Sequence, residues 1–350
     1  MRADELSKFA GIHRRTIALG CLTCCWCAAS CAVDLDPRAR PKEASEAPEL
    51  DACRPLPAAK PVLAGRLLSW SAETDETLLL TSTPDAALGE TFAVSGDPCD
   101  QKRATVSAPV FELSALGLET DDLSVQPLSL FTEDKSYAYF ALITPDGSVS
   151  GYGIALWDPM RKRFLAGSLL WTADRPNYGS AAVVADGYVY VYGGLAARFL
   201  DADIYVARAP LSAVTEPEAY EYAQSGGGWE SDVDRASPIV TGGAAPSVAW
   251  HPGKKRWLMA YATPLAQSLT VRSGLGPRGP WSAPVVLGRC DLPDIDPDAF
   301  CGEVTLQAPY FGKREIALAH TVGSFARPDS AQDRDYATRW LTAAWPDALP

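Results

Sequence analysis

The chain has 350 residues, 47% of them hydrophobic and 21% charged, a composition that supports a large buried core and excludes a disordered chain, a collagen-like repeat or a miniprotein held by disulfides alone. Asp and Glu outnumber Lys and Arg by 43 to 31, for a formal charge of -12. Such a surface repels phosphate backbones and anionic lipid headgroups, which argues against a nucleic-acid partner.

The N-terminal stretch reads as an export signal. Arg2, Lys8, Arg14 and Arg15 give it a basic start, and Thr16 to Ala29 then runs without a charge through Ile17, Leu19, Leu22 and Trp26. That run is too short for about 30 Å of hydrocarbon at roughly 1.5 Å per residue, so a cleaved leader is favoured over a permanent membrane helix. Ala28-Ala29-Ser30-Cys31 resembles a bacterial lipobox, in which small residues fit the signal peptidase and the cysteine thiol is acylated. An ordinary cleavage site near Ala29 is the alternative. The organisation predicted is a leader over 1–30, a lipid-modified Cys31, a tether over 31–52 rich in proline and charge, and a folded domain over 53–350. The expected location is the cell envelope, outer membrane or periplasm, with the lipid as the membrane contact.

Cysteine usage agrees with export. Removing Cys21, Cys24, Cys25 and Cys27 with the leader and assigning Cys31 to lipid leaves Cys53, Cys99, Cys290 and Cys301. An even number in an exported domain points to disulfides. Cys290 and Cys301 bracket a short loop whose closure would stabilise the domain by roughly 3 kcal/mol. Cys53 would then pair with Cys99, one of three connectivities open to four cysteines. Zinc fits less well, because the mature chain has no Cys-x-x-Cys pair and no histidine near one in sequence.

The domain reads as a train of short strands. Ala181 to Ala185, the pair Asp186-Gly187, and Tyr188 to Tyr192 form a hairpin with the residues a tight primed turn requires. Its second strand is apolar on both faces and must be covered on both sides. Similar hairpins follow from Leu128 to Phe131 with Tyr137 to Thr144, continued by Val149 to Trp157. Others run from Ser247 to Trp250 with Trp257 to Thr263, and from Pro309 to Phe311 with Glu315 to Thr321. Gln126-Pro127, Ala245-Pro246 and Ala308-Pro309 open three of them, and Thr144, Thr263 and Thr321 close them. An earlier strand set from Leu63 to Leu113 supplies a fifth unit, and the units recur every 50 to 70 residues or so. The fold class predicted is all-β, a five-bladed β-propeller of four-stranded antiparallel blades. A two-sheet sandwich is the structural competitor, and a short helix is expected within Leu211 to Ala223.

Asn177-Tyr178-Gly179-Ser180-Ala181, Tyr188 to Gly194, Ile204 to Pro210, Gly228-Trp229 and Gly276-Pro277-Arg278-Gly279-Pro280-Trp281-Ser282 occur in one order along the chain. In this the chain resembles secreted five-bladed propellers of the glycosidase-like family that includes bacterial endo-D-arabinanases. The resemblance covers roughly Ala64 to Ala344 and implies a sugar-related role by analogy of fold. Enzymes of the family carry an early Gly-Asp-Thr, and the nearest match here is Gly89-Glu90-Thr91, a departure that displaces the carboxylate by a methylene.

Glycoside hydrolysis needs two carboxyl groups across the scissile bond. The expected starts of the inner strands are Gln126, Asn177, Ala245 and Gln307, none of them an acid, with Glu303 near the last. The candidate acids are Glu303, Glu90 and Asp203, each weighed against a role as an ordinary loop or hydrogen-bonding carboxylate. Asn177, Tyr178, Trp229, Gln126 and Gln307 are candidates to bind sugar, through amides to hydroxyls and aromatic faces to C–H surfaces. Trp229 is equally suited to plug a gap between blades. No cofactor and no metal is expected. Asp294, Asp296 and Asp298 alternate like calcium ligands, but the missing sixth-position glycine and Thr305 at the twelfth exclude an EF-hand and leave only a calcium site of another kind open. His251 and His320 belong to no motif and read as structural. Gly226 to Gly228 and Gly242-Gly243 interrupt strands, so no nucleotide cradle is expected. The function expected is therefore an envelope protein that binds a polysaccharide or glycan, with an arabinanase-like hydrolase and a scaffold for a protein partner as the alternatives.

Overall fold

The computed structural model describes residues 51–53, 68–71, 77–83, 86–94, 104–107, 111–113, 116, 123–161, 163–198, 201–263, 267–290, 292–294, 296–324 and 339–350, with only the backbone course described before residue 111. The leader, Cys31, the tether up to residue 50 and Cys99 lie outside the described residues. All that is described belongs to one compact unit, Arg40–Pro350.

Strand β1 (Asp51–Cys53) stands apart in sequence from the first meander, which is β2 (Leu68–Ser71), β3 (Thr77–Thr83), β4 (Ala86–Val94) and β5 (Ala104–Ser107). β6 (Phe111–Glu112) then lies parallel to the edge of the second meander, made of β7 (Ser124–Thr132), β8 (Ser136–Ile143), β9 (Val149–Asp158) and β10 (Arg163–Thr172). The third is β11 (Ala181–Ala185), β12 (Tyr188–Arg198) and β13 (Asp201–Pro210), extended by β14 (Glu221–Ala223) and β15 (Trp229–Glu230). The fourth is β16 (Val240–His251), β17 (Arg256–Thr263), β18 (Ser268–Gly274) and β19 (Val285–Arg289). The last is β20 (Ala299–Leu306), β21 (Glu315–Ser324) and β22 (Arg339–Ala344), and β1 completes it by pairing antiparallel with β22.

Successive meanders pack on one another through their first strands. β7 lies against β2, β11 against β7, β16 against β11 and β20 against β16, and the 3-10 turn Ala308–Tyr310 after β20 comes back to β2. This is a β-propeller, with antiparallel sheets set around an axis. Its core lies between sheets, which is why strands such as β8 and β9 are buried on both faces. Leu128, Tyr139 and Ile154 of the second meander share one cluster with Val189, Val191 and Ala207 of the third. Leu258 and Val271 of the fourth share another with Val304, Ile316 and Leu341 of the last.

Several sequence expectations need correction. Hydrogen bonding counts four sheets where five separate blades were expected, because the third and fourth meanders join in a sheet of nine strands. The bridge is short, Ala202 opposite Gly243 and Ile204 opposite Val240 with a shift between them. Gly243 lets the strands approach closely there: a Cβ would stand 2.8 Å from Ile204 Cδ1, and that side chain would have to shift. Gln126-Pro127 and Ala245-Pro246 do not open strands but lie inside β7 and β16, each at a register shift. Proline lacks the N–H that a continuous ladder needs, so it sits where the ladder is broken. Pro309 to Phe311 is not a strand, because the chain turns as a 3-10 helix there. The helix expected within Leu211 to Ala223 resolves into two 3-10 turns, Leu211–Ala213 and Pro217–Ala219, followed by β14. The Asp186-Gly187 hairpin is as expected, with φ of 52° and 80° and Ala185 paired to Tyr188.

Candidate functional site at the propeller mouth

Each meander has two ends. At one, second strands hand over to third strands and each sheet leads on to the next; this is the mouth. At the other, far end, first strands turn into second strands.

Near the mouth the first strands are broken at similar places, at Pro127, at Tyr178, at Ala245-Pro246 and after Leu306. Ala245 has a φ of 41°, unusual for a residue with a Cβ. Asn177 fixes the break before β11. Its N–H donates to Gly194 O at 3.0 Å and its Oδ1 accepts from the Gly194 N–H. Gly193 is required beside it, since a Cβ there would lie 2.7 Å from Asn177 C and 2.8 Å from Tyr178 Cα. Side chains past the breaks tie neighbouring meanders. Ser129 Oγ donates to Gly179 O at 2.6 Å, and Ser247 Oγ accepts from the Leu306 N–H at 2.9 Å.

The candidate acids lie on different meanders. Glu303 is half-buried in β20, and its N–H donates to Thr321 Oγ1 at 2.9 Å, with Gly302 packed on that same hydroxyl. Asp203 is half-buried in β13 opposite Leu195, and after burial its charge is the second influence raising the Tyr205 phenol. Glu90 is placed by its backbone on β4, opposite Thr81, the third strand of its meander rather than the first.

The candidate sugar binders separate into two groups. Gln126 and Asn177 are half-buried near the mouth. Tyr178 and Gln307 are fully buried and belong to the interior, a correction to their reading as surface contacts. Tyr178 packs between Trp171 and Tyr222, with ring centres 5.1 and 5.5 Å away. Gln307 donates from its backbone to Ala317 O at 2.9 Å and from Nε2 to Thr305 Oγ1 at 3.0 Å. Trp229 is half-buried between cations, Arg208 at 4.3 Å and Arg278 at 5.3 Å from its ring centre. That favours the plug between repeats. Arg278 also donates to the carbonyls of Gln224 and Gly227, and Tyr192 donates to Pro277 O. The Gly-Pro-Arg-Gly-Pro-Trp run is thus a clamp from the fourth meander onto the third.

Sequence reading missed the tyrosine network under the second and third meanders. Tyr139 and Tyr220 share a hydroxyl–hydroxyl bond of 2.8 Å, Tyr220 donates to Val214 O at 2.7 Å, and Trp171 Nε1 donates to Tyr222 Oη at 2.9 Å. Burial holds the Tyr139, Tyr178, Tyr192 and Tyr220 phenols well above their ordinary range. Tyr139 and Tyr220 are 81 residues apart and Trp171 and Tyr222 are 51 apart, separations no local pattern reveals.

Cys290 and Cys301 lie at disulfide distance with Cα atoms 5.8 Å apart. His320 joins them, and among the described residues these three form the group of metal-capable atoms gathered within 4.8 Å. The β20–β21 pairing brings this histidine to the cysteines, although it is distant in sequence. His251 is structural as expected, stacked on Phe311 at 5.1 Å and edge-on to Trp345 at 5.0 Å. Asp296, read as part of an open calcium option, accepts the Asp298 N–H at 2.9 Å in a local turn.

Antiparallel sheets set around an axis define the class of the fold, a β-propeller. A family model described as Domain of unknown function (DUF4185) matches residues 153–346, more than half of the chain, and the chain belongs to that family. Among solved structures, a thermostable family-43 glycoside hydrolase is similar with a TM-score of 0.53 and 13% identity, over 85% of this chain and 95% of that one. RS223-Beta-xylosidase is similar with a TM-score of 0.50 and 14% identity, over 84% and 94%. A protein from Bacteroides ovatus, described only provisionally as a hydrolase, has a TM-score of 0.54 and 12% identity, over 81% and 86%. At these identities the likeness is one of fold. No curated protein matches the sequence.

Proposed function

We infer that the chain is an exported, lipid-anchored envelope protein whose propeller mouth binds carbohydrate without turning it over. The nine-stranded sheet is read as two blades, which makes the propeller five-bladed. The observation that carries the binding reading is that the first-strand breaks near the mouth bear the half-buried amides Gln126 and Asn177 and the alanine Ala245, and no carboxylate. Asn177 is held by Gly194 through its oxygen, which orients its Nδ2 donor for a sugar hydroxyl. Gln126 supplies a second amide on the neighbouring meander.

Hydrolysis is the second reading, favoured by the fold shared with a family-43 glycoside hydrolase. It would use Glu303 with Asp203, both half-buried toward the mouth. The anchored protein should therefore be tested for retention on arabino- and xylo-oligosaccharides and for release of reducing sugar from arabinan and xylan. Retention without release supports the binder. Release that disappears in Glu303→Gln replaces it with the hydrolase, and silence in both assays favours a scaffold for a protein partner. Fatty-acid labelling of the chain, compared with Cys31→Ala, tests the anchor.

A further inference from the structure

The overall negative charge predicts a surface that repels anionic lipid, yet the cations are unevenly placed. At the far end of the fourth and last meanders, the turn between β16 and β17 carries Lys254 and Lys255, and Arg256 follows as the first residue of β17. Another turn carries Lys313 and Arg314 before β21. The turns pack together. Gly253 leaves no room for a Cβ against the Lys313 backbone, the Trp345 N–H donates to Arg314 O at 2.7 Å, and Lys254 Nζ stands 5.3 Å from the centre of the Trp345 ring. Among the described residues none of these five cations makes an ion pair, whereas Arg161, Arg163, Arg175, Arg208 and Arg235 do. The acids beside these two turns are Glu315 and Asp347, both exposed, and the corresponding turns of the second and third meanders carry the exposed Glu133, Asp134 and Asp186.

Two large apolar side chains break the surface beside the turns. Trp250 pairs across to Trp257 and is 40% exposed, and Leu275, next to the Gly274 that pairs with Trp257, is 69% exposed. The path of the chain adds a direction. Asp51 lies opposite Thr342 and Cys53 opposite Trp340, while Ala344 pairs with Glu315. The polypeptide therefore enters β1, at Asp51, from the far end, the end that carries the basic turns.

We propose that this far end docks on a membrane surface, with the five cations on anionic phospholipid headgroups, Trp250 and Leu275 in the interfacial layer, and the mouth turned away. The proposal rests on the envelope reading above and deepens it, since it places the membrane at the end where β1 begins. Basic residues beside exposed apolar ones are the combination that holds a protein at an anionic interface, and tryptophan favours that layer.

The test is co-sedimentation of the full chain carrying Cys31→Ser with vesicles of phosphatidylcholine alone or containing about a third phosphatidylglycerol. Without Cys31 no acylation contributes, so failure here is separable from failure of the anchor, which fatty-acid labelling of the unaltered chain reads. The expected result is retention by the anionic vesicles only, lost at high salt. Each cation near such a surface is worth roughly a fivefold factor in partitioning, so Lys254→Glu with Lys255→Glu and Lys313→Glu should weaken retention by about a hundredfold or more. Lys135→Glu, at the corresponding turn of the second meander, should leave it unchanged. Equal retention by both vesicles, or retention that survives the triple substitution, overturns the proposal. So does binding to polygalacturonate without binding to vesicles, which would give the basic face to an acidic polysaccharide.

Discussion

Alkaline pH should unfold this protein through a small set of buried phenols. Tyr139, Tyr178, Tyr192 and Tyr220 are at most 1% exposed, and burial raises the pKa of each well above 10. An unfolded tyrosine ionises near pH 10. Below that pH both states are protonated and the full contribution of these residues to stability is present. Above it the unfolded chain releases protons that the folded chain keeps, so stability falls as pH rises toward the folded pKa values. The loss is about 1.4 kcal/mol per pH unit for each phenol, or about 5 to 6 kcal/mol per unit for four acting together. Against a typical total of about 5 to 15 kcal/mol, unfolding should come about one to three units above pH 10. The assay follows tyrosinate absorbance and near-UV circular dichroism in parallel. The buried phenols should ionise only as the dichroism is lost, and Tyr220→Phe should reduce the dependence by about 1.4 kcal/mol per unit while costing roughly 1 to 3 kcal/mol at neutral pH, because Val214 O and Tyr139 Oη lose a partner. Reversible titration of these phenols near pH 10 in a protein with intact dichroism would refute the reasoning.

Three further outcomes can be measured by chemical denaturation. Gly193→Ala should cost about 1 to 3 kcal/mol, since the new methyl meets the backbone of Asn177 and Tyr178 and neither can yield; an unchanged midpoint would contradict the close approach. Arg278→Ala should cost about 1 to 3 kcal/mol by releasing the Gln224 and Gly227 carbonyls and the Trp229 face. Arg278→Lys should not restore it, because an ammonium lacks the fork that reaches both carbonyls. Cys290→Ser with Cys301→Ser should lower stability by roughly 3 kcal/mol under non-reducing conditions, and no loss would mean that the thiols are not joined.

The architecture was legible in sequence wherever strands are covered on both faces, as in Tyr188 to Tyr192, and wherever a turn needs particular residues, as at Asp186-Gly187. The recurring X-Pro pairs marked real repeats, but their position was misjudged. Proline reads as the beginning of a strand, whereas Pro127 and Pro246 interrupt strands already under way. The merging of two meanders rests on a short bridge, Ala202 opposite Gly243 and Ile204 opposite Val240, which composition cannot flag. At the mouth, Glu303 stands out by its nearness to the expected strand start at Gln307, but the hydroxyl that holds its backbone belongs to Thr321 on the next strand. Tyr178 and Gln307 looked like ligand contacts because aromatic and amide groups serve both roles; only their burial decides. The basic turns were passed over because Lys254 to Arg256 and Lys313-Arg314 each look like an ordinary polar hairpin turn. Their adjacency comes from the packing of two sheets.

The strand that completes the last sheet, Asp51–Cys53, precedes all the meanders in sequence, and its partner Arg339–Ala344 follows them. During synthesis β1 has to wait until every meander has been made before it can be sealed in place. Closure is thus the latest event available to the ring, and a chain cut short near its C-terminus would leave it open, with the edge of β21 bare and ready to recruit a stray strand.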